Sequence, residues 1–357
     1  MNDLVNVADF QRAAQAALDP GPYGYFAGGA GDETTLRANR AAFRRWDLRP
    51  RTLVDVSTTT TATTVLEQEV SMPVLVAPVG FQALAHRDGE RGVARAAAAV
   101  GTAYCLPTLS SVTPEECAAA APDGRRWFQL YWSSDRGFTH ELLARVVAAG
   151  FSALVLTVDL PVPGRRERDL RTGFAIPQDL PMPNVPPEFR PIGAPNSGFG
   201  GIVDATLTWR DLEELRDAAP LPLVVKGILT AEDALLAVEH GAAAVVVSNH
   251  GGRQLDGVPA SLDALPEVVE AAGDRVEVLV DGGVRRGVDA LKALALGARA
   301  VLVGRAMIWG LAAGGEEGVR RVLTLLRDEI AVGLQLLGCS SPADVTRAHV
   351  RPATRPS

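Results

Sequence analysis

The sequence A-A-V-V-V-S-N-H-G-G-R-Q-L-D-G, which runs from Ala243 to Gly257, changes character after its first five residues. The run Ala243–Val247 is short, apolar and rich in valine, which is typical of a strand that is buried on both faces. The next six residues, Ser248–Arg253, include no apolar side chain. Parallel α/β proteins bind ligands beyond the carboxyl ends of their strands, so this stretch predicts a buried strand that leads into a functional site.

Seven other apolar runs have the same character and alternate with amphipathic stretches, such as 89–100, 136–149, 230–240 and 285–296. The eight predicted strands are Pro73–Val79, Ala103–Thr108, Trp127–Trp132, Ala153–Val158, Leu221–Val225, Ala243–Val247, Val276–Val280 and Ala300–Val303. Eight strand-helix units close into a barrel, whereas doubly wound sheets usually have about five or six strands. The pattern therefore predicts an α/β protein with a (β/α)8 TIM barrel.

The flanks of the barrel have their own patterns. Helical spacing of apolar residues predicts helices over 7–18 and 33–43, with a small helix that carries Tyr23, Tyr25 and Phe26 between them. We expect one domain over 1–357, and its predicted parts are an N-terminal helical extension 1–72, a barrel 73–312, and a C-terminal helix and tail 313–357. The long segment 175–207 after the fourth strand, rich in Pro and Gly, is predicted to be a lid loop.

Composition restricts the classes of partner. The chain has 357 residues and a formal net charge of −7, without a block of lysine or arginine, so we expect a small-molecule partner and neither nucleic acid nor membrane. Its three cysteines lack C-x-x-C spacing, which predicts neither a disulfide framework nor a metal site. With no basic and apolar leader at the start, a reducing cytoplasm is the expected location.

Polar residues recur where the first and third predicted strands end. The turn Pro78–Gly80 permits close approach of backbone to a flat ligand, although it is also a common turn sequence. Gln129 and Tyr131 alternate onto one face of their strand and need polar partners. The two side chains are either a satisfied polar pair in the core or contacts to a bound ligand.

The fourth and fifth strands end in charged residues. Asp159 follows Thr157, and Arg166 follows shortly after, which suits orientation of an imidazole and binding of a carboxylate, or else an ion pair at the barrel rim. Lys226 directly follows an apolar strand. It is a candidate Schiff-base nucleophile, a salt-bridge partner, or a cation that stabilises negative charge on a cofactor.

His250 is the strongest candidate for a general base. The chain has five histidines, and this one lies between Asn249 and a Gly-Gly pair, three residues before Arg253. A structural histidine is the alternative. The glycine-rich turns after the seventh and eighth strands, Asp281–Arg285 and Gly304–Arg305, are placed like the phosphate sites of TIM barrels, or are plain loops.

These motifs resemble those of the FMN-dependent L-2-hydroxy acid oxidase/dehydrogenase family, which includes glycolate, lactate and mandelate oxidases. The similar motifs are S-N-H-G-G-R-Q-L-D-G, L-V-V-K-G, D-G-G-V-R-R-G, Y-G-Y-F, A-P-V-G, F-Q-L-Y, L-T-V-D and G-R-R-E-R-D, spread over about 7 to 349. The resemblance implies FMN as cofactor and oxidation of an L-(S)-2-hydroxy acid to the 2-oxo acid, with O2 reduced to H2O2. It also implies a homo-oligomer, either a tetramer or an octamer.

The resemblance assigns a role to each matching residue. His250 becomes the catalytic base that Asp159 steadies, Lys226 lies beside the flavin, and Tyr131 is the fourth catalytic residue. The residues that it assigns to the substrate are Tyr25, Tyr131, Arg166, His250 and Arg253. The residues that it assigns to FMN are Pro78, Val79, Gly80, Thr108, Gln129, Thr157, Lys226, Ser248, Asp281, Gly282, Gly283, Arg285, Gly304 and Arg305.

The sequence also departs from the family pattern. Pro107 aligns with a common flavin-contacting serine and leaves Thr108 as the nearby hydroxyl, while Leu109 aligns with an aromatic wall of the pocket, and Pro163 replaces a commoner apolar residue. The run T-L-S-S-V and Trp132 resemble mandelate-type enzymes and suggest an aromatic substrate. The alternatives are a dehydrogenase that uses a quinone or another acceptor, an FMN-bound isomerase, and a non-catalytic flavin-binding barrel.

Overall fold

The computed structural model describes residues 3–190 and 201–354. Its strands are β1 Trp46–Leu48, β2 Thr63–Val65, β3 Gln68–Val70, β4 Val74–Val76, β5 Ala103–Pro107, β6 Arg125–Leu130, β7 Ala153–Thr157, β8 Leu223–Ile228, β9 Ala244–Val247, β10 Glu277–Asp281, β11 Ala300–Val303 and β12 Val350–Pro352. The strands β4 to β11 pair in parallel and close into an eight-stranded barrel. The predicted (β/α)8 fold is therefore confirmed.

Helices surround the barrel and precede it. They are α1 Val7–Ala17, α2 Pro20–Ala27, α3 Thr34–Ala42, α4 Gly89–Val100, α5 Pro114–Ala120, α6 Arg136–Ala148, α7 Glu167–Thr172, α8 Asp211–Ala218, α9 Ala231–Glu239, α10 Ser261–Ala272, α11 Gly287–Ala295 and α12 Arg305–Leu337. Short 3₁₀ helices include Phe43–Arg45 and Pro187–Phe189. The described chain contains no helix with the length and apolar character needed to cross a membrane.

Alternate residues of each barrel strand pack on opposite sides of the sheet. Leu75 and Val246 belong to the cluster inside the barrel, while their neighbours Val74 and Val245 pack with the surrounding helices. Both sides of the sheet are apolar, because helices cover its outer face and side chains fill the inside of the barrel. This explains why the strands read as continuous apolar runs. Polar side chains are consequently concentrated at the strand ends.

The N-terminal extension is not wholly helical, which corrects the prediction for 1–72. β2 and β3 form an antiparallel hairpin, and Val65 and Val70 join the apolar cluster inside the barrel. Its turn residues Leu66 and Glu67 have φ values of 47° and 62°, a conformation usually marked by Gly or Asn. The hairpin was missed because its turn carries neither residue. β1, in the same extension, pairs with β12.

The C-terminal helical segment contains a kink. α12 extends from Arg305, and its only non-helical residues are Gly314 and Gly315, the latter with φ 60°. A Cβ atom at Gly315 would collide with the Asp88 carboxylate, so glycine is required at this kink. The predicted boundary at 312/313 lies beside this kink, which separates the helix that follows β11 from the C-terminal helix.

The connection after β7 is long, as expected, and carries α7. Its segment 191–200, part of the predicted lid 175–207, lies outside the described residues. Nearer the barrel, Met182 and Val185 are buried, and the Asn184 amide donates to Ser110 Oγ at 2.8 Å and to the Val112 carbonyl at 3.0 Å. This part of the connection is therefore packed against the barrel.

Candidate active site

A cavity of about 1030 Å³, partly open to solvent, lies at the carboxyl ends of the barrel strands. The predicted site residues that line it are Tyr25, Pro78, Val79, Gly80, Gln129, Tyr131, Thr157, Arg166, Lys226, His250, Arg253, Asp281, Gly282, Gly283, Arg285, Gly304 and Arg305. Closure of the barrel thus gathers residues from distant parts of the chain around one space.

Thr108 is not among the residues that line this cavity, and its contact with the cofactor stays a prediction. Its hydroxyl donates to the Gln129 carbonyl at 2.7 Å and accepts from the Tyr131 backbone N–H at 3.0 Å. Its own N–H donates to Gln129 Oε1 at 3.2 Å. Both partners of the hydroxyl belong to the neighbouring segment, at the end of β6 and directly after it. Thr108 positions Gln129, whereas Pro107 and Leu109 line the cavity.

His250 and Asp159 form a hydrogen-bonded pair. His250 Nδ1 lies 2.8 Å from Asp159 Oδ1. Burial lowers the pKa of His250 below its ordinary value, even though the Asp159 charge opposes this shift. Burial alone would raise the pKa of Asp159, but His250 and Lys226 hold it below its ordinary value. A neutral imidazole that donates from Nδ1 to a carboxylate leaves Nε2 as a proton acceptor, as a general base requires.

The backbone around His250 is constrained. His250 itself has φ 57°, and Gly251 and Gly252 continue with φ 66° and 75°. Such left-handed conformations are uncommon outside glycine and concentrate at functional sites. A Cβ atom on Gly252 would lie 2.6 Å from the Leu36 nitrogen, so the second glycine permits close packing against α3. This turn directs the imidazole into the cavity.

Ser248 lies behind the cavity wall, between two members of the site. Its Oγ accepts hydrogen bonds from Lys226 Nζ and from the His250 backbone N–H, each at 3.0 Å. It does not line the cavity. The structure therefore shows that Ser248 links Lys226 to the His250 turn, while its contact with the cofactor stays a prediction.

Lys226 lies within β8, one residue beyond the predicted end of that strand. Its Nζ forms an ion pair with Asp281 Oδ2 at 3.2 Å. Burial alone would lower the pKa of Lys226, but the carboxylates of Asp281 and Asp159 raise it above its ordinary value. A protonated amine is not a nucleophile, so the geometry favours the salt-bridge and cofactor-facing roles over a Schiff base.

Two arginines bring positive charge to the same space. Arg253 Nη1 donates to the carbonyls of Tyr25 at 2.6 Å and Gly28 at 3.1 Å, and its guanidinium carbon lies 4.9 Å from the Tyr25 ring centroid. Burial and the neighbouring Arg166 lower the pKa of Arg253 to about 10, which leaves it charged at neutral pH. Arg166 is 5% exposed, and its Nε has no hydrogen-bond partner among the described residues. Two such cations can clamp a carboxylate.

Three enclosed polar atoms in the cavity lining test the expected cofactor. Gln129 Nε2, Asp281 Oδ1 and Arg285 Nε have no hydrogen-bond partner within residues 3–190 and 201–354. An amide donor suits a ring carbonyl, a carboxylate suits hydroxyl groups, and an arginine suits a phosphate. FMN presents these three groups in its ring, ribityl chain and phosphate. The N-terminus of α12 at Gly304 adds further N–H donors, so the lining fits FMN.

Arg305 fastens the N-terminal extension to the barrel. It donates from Nε to the Phe26 carbonyl at 2.9 Å, from Nη1 to the Gly251 carbonyl at 2.9 Å and from Nη2 to the Gly28 carbonyl at 2.8 Å. Burial and the neighbouring Arg253 and Arg285 lower its pKa well below the ordinary value. The predicted cofactor contact at Arg305 is thus also a structural tie that keeps α2 over the cavity.

Two further residues organise the site. Asn39 and Asn249 exchange side-chain hydrogen bonds at 2.8 and 2.9 Å, and Asn249 Oδ1 also accepts from the Gly252 N–H at 3.0 Å. Both asparagines are buried. The only local signal was the position of Asn249 beside His250, because its partner lies 210 residues away.

Gln254 joins the two halves of the site. Its Nε2 donates to the carbonyls of Asp159 at 3.0 Å and Val162 at 2.9 Å, while its Oε1 accepts from the Gly164 N–H at 3.1 Å. The loop from Asp159 to Arg166 is therefore attached to the segment that carries His250. No local pattern in the sequence marks Gln254 as a site residue.

In the described chain, no three side chains of His, Cys, Asp or Glu are grouped in a way that could hold a metal ion.

Comparison with known proteins identifies the protein family to which the chain belongs. Residues 14–352 match the family described as FMN-dependent dehydrogenase. An L-lactate oxidase from Nostoc sp. is 49% identical over 352 residues, 96% of each chain.

A glycolate oxidase from Zea mays is also 49% identical, over 358 residues that cover 98% of this chain and 96% of the relative. The solved structure of mandelate oxidase with benzoyl-formic acid superposes with a TM-score of 0.88, at 44% identity over 98% of both chains. Identity at this level over nearly the whole length shows a common family. The chain belongs to the FMN-dependent dehydrogenase family.

Proposed function

We propose that the protein oxidises an (S)-2-hydroxy acid to the corresponding 2-oxo acid, with FMN as the bound cofactor and O2 as the final oxidant, which yields H2O2. The observation that carries this proposal is one cavity that contains His250, backed by Asp159, together with Arg166 and Arg253. A 2-hydroxy acid needs both a base and a carboxylate clamp. The names of the relatives, which are lactate, glycolate and mandelate oxidases, support it.

Each protein group has a defined task in this reaction. When bound, FMN would supply the acceptor for the two electrons of this oxidation. Arg166 and Arg253 bind the carboxylate and hold the hydroxyl-bearing carbon against the cofactor. His250 takes a proton at Nε2, and the resulting imidazolium is stabilised by Asp159. Burial raises the pKa of Tyr131, so its phenol stays protonated and can donate a hydrogen bond to the substrate.

The site also contains a fixed positive charge. Lys226 is 4% exposed and protonated, and it lines the same cavity. Its charge stabilises negative charge that develops in the cavity during oxidation. Asp281 and Ser248 hold the ammonium group in place.

We favour a substrate with an aromatic side chain. The ring of Tyr25 packs 6.0 Å from Phe81 and 5.7 Å from Phe174, and Leu109 occupies the position where the family often has an aromatic wall. The likeness to mandelate oxidase supports this substrate class. Because identity to lactate and glycolate oxidases is similar, all three acids belong in the assay.

Spectroscopy tests the function directly. The purified protein should be yellow, and anaerobic addition of (S)-mandelate, (S)-lactate or glycolate should bleach the flavin absorbance. (R)-Mandelate is the matched control and should leave the colour unchanged. Readmission of air should restore the colour with release of peroxide, whereas recovery only with an added quinone would identify a dehydrogenase. A colourless protein that does not bind added FMN contradicts the proposal.

Two alternative functions, an FMN-bound isomerase and a non-catalytic flavin-binding barrel, fit the site less well. An isomerase or a non-catalytic barrel has no evident use for two arginines beside a base, so we favour the oxidase.

The free, buried cysteines Cys105, Cys117 and Cys339 support a reducing, cytoplasmic location. We propose a homo-oligomer, a tetramer or octamer, and the exposed apolar side chains Val162 and Leu255 are candidates for its contacts. Light scattering measures its mass.

A further inference from the structure

A second pocket, of about 960 Å³, adjoins the active-site cavity through Arg285 and Arg305. Its six lining arginines are Arg37, Arg40, Arg44, Arg168, Arg285 and Arg305. We propose that this arginine pocket is an anion site separate from the cofactor site, and that it binds a diphosphate group. The inference goes beyond the proposed oxidase activity.

The outer part of the pocket is built by one face of a helix. Arg37 and Arg40 lie in α3 and Arg44 in the 3₁₀ helix that follows, so the three residues are spaced i, i+3 and i+7. This spacing places side chains on the same side of a helix. All three are exposed at the surface. They therefore present a row of guanidinium groups to a ligand that arrives from solvent.

These three arginines lack the carboxylate partners that neighbouring arginines have. Arg45 pairs with Asp263, and Arg168 pairs with Glu33 at 2.6 Å. Within residues 3–190 and 201–354, Arg37, Arg40 and Arg44 form no salt bridge with a carboxylate. None of the three is therefore neutralised by a direct ion pair among those residues, although the formal net charge of the chain is −7.

The positive charges continue inward from the surface. Burial and the neighbouring Arg44 lower the pKa of Arg40, and burial and Arg40 lower that of Arg285 to about 9. Asp289 opposes both shifts, but its carboxylate already accepts the backbone N–H groups of Arg285 and Arg286 at 2.9 and 3.0 Å. The pocket thus has a positive potential that extends from α3 to the cofactor site.

One cofactor phosphate does not account for this charge. A phosphate monoester carries about −1.5 to −2 charges at neutral pH. In the cavity, Arg285 and Arg305 are the arginines placed to receive it, whereas Arg37, Arg40 and Arg44 line the outer pocket alone. Guanidinium groups bind phosphate oxygens in pairs, so three forks without a carboxylate partner suit a ligand with two phosphates better than one with a single phosphate.

The test is calorimetric titration of the FMN-loaded enzyme with inorganic pyrophosphate and, separately, with ADP, at an ionic strength fixed with sodium chloride. We expect saturable binding of both to the unmodified enzyme and at least tenfold weaker binding to Arg37→Gln/Arg44→Gln. The matched control is Arg51→Gln/Arg87→Gln, which removes the same charge from two exposed sites that line neither pocket. The control should bind like the unmodified enzyme.

Flavin fluorescence, recorded during the same titration, separates the two sites. Retention of FMN at saturation supports a distinct outer site, whereas release of FMN in step with binding overturns it, because the anion would then occupy the cofactor site. Equal affinity in both double variants, absence of saturable binding, or binding of ADP without pyrophosphate also overturns it. Anaerobic bleaching by a 2-hydroxy acid should be unchanged in both variants, so this inference and the proposed oxidase activity can fail independently.

Discussion

His250 Nδ1 lies 2.8 Å from Asp159 Oδ1, although 91 residues separate the two in the sequence. The pair connects the turn after β9 to the loop after β7. Its electrostatic consequence is that Asp159 is ionised, while His250 is neutral and has its Nδ1 proton directed at the carboxylate. Loss of the carboxylate therefore affects both the orientation of the imidazole and its ability to hold a proton.

Replacement of Asp159 by Asn should slow flavin reduction by about 10²- to 10⁴-fold, the range typical of a disabled general base. The amide no longer stabilises the imidazolium that forms when His250 takes a proton. Anaerobic stopped-flow bleaching measures this step. Asp123→Asn, at an exposed aspartate outside the cavity, is the matched control and should react at the normal rate. A normal reduction rate in Asp159→Asn contradicts the assigned base.

The pH profile of kcat/KM should be bell-shaped. Activity requires neutral His250, whose pKa lies below the ordinary value of 6.5, so the rate rises as pH increases through that lower pKa. At the alkaline end the rate falls near the Arg253 pKa of about 10, since the carboxylate clamp loses its charge. Asp159 raises the His250 pKa, so Asp159→Asn should shift the acidic limb to lower pH. A shift to higher pH would refute this coupling.

The barrel is predictable from sequence because its strands are continuous apolar runs that end at Gly, Pro or charged residues. Strand ends are less predictable: the polar side chain of Lys226 predicts that the strand has already ended, whereas β8 continues to Ile228. The hairpin of β2 and β3 escaped prediction because its turn at Leu66 and Glu67 has no Gly or Asn. Local patterns identify buried strands better than unusual turns.

The candidate site is predictable where a residue's type and strand position coincide, as for His250 and Arg253. The partners of a hydroxyl are less predictable, and the Thr108 hydroxyl donates to the Gln129 carbonyl of the neighbouring strand. Contacts between distant segments leave no local pattern, which is why the bonds from Gln254 to the Asp159 loop were not foreseen. The three-dimensional arrangement alone reveals them.

Gln254→Leu should lower kcat/KM about 10- to 100-fold, because small misplacements of catalytic groups have effects of this order. The variant loses the hydrogen bonds that attach Asp159, Val162 and Gly164 to the His250 segment. Steady-state kinetics should show a raised KM as well as a lowered kcat, since the loop also leads to Arg166. Gln335→Leu, at an exposed glutamine in α12, is the control and should have normal kinetics. Normal KM and kcat in Gln254→Leu would refute the positioning role.

Lys226→Met should reduce the free energy of unfolding by about 3–5 kcal/mol, as expected when one member of a buried ion pair is removed. The change leaves the Asp281 carboxylate without the ammonium group at 3.2 Å. Urea denaturation at a fixed FMN concentration measures the difference, because bound cofactor itself adds stability. Lys226→Met/Asp281→Leu removes both charges and should recover part of the loss. A double variant less stable than Lys226→Met would show that the pair is not the cause.

Leu109 should decide the size of substrate that the cavity accepts. It is 3% exposed, lines the cavity and packs beside Gly80, where an added Cβ atom would lie 3.1 Å from the Leu109 Cβ. Leu109→Phe fills this space and should lower kcat/KM for (S)-mandelate about 10- to 200-fold relative to glycolate, the range known for a change of one methylene in an apolar pocket. Leu109→Ala should spare mandelate. An unchanged flavin spectrum controls for cofactor loss, and a parallel decrease for both acids would show that Leu109 does not contact the substrate side chain.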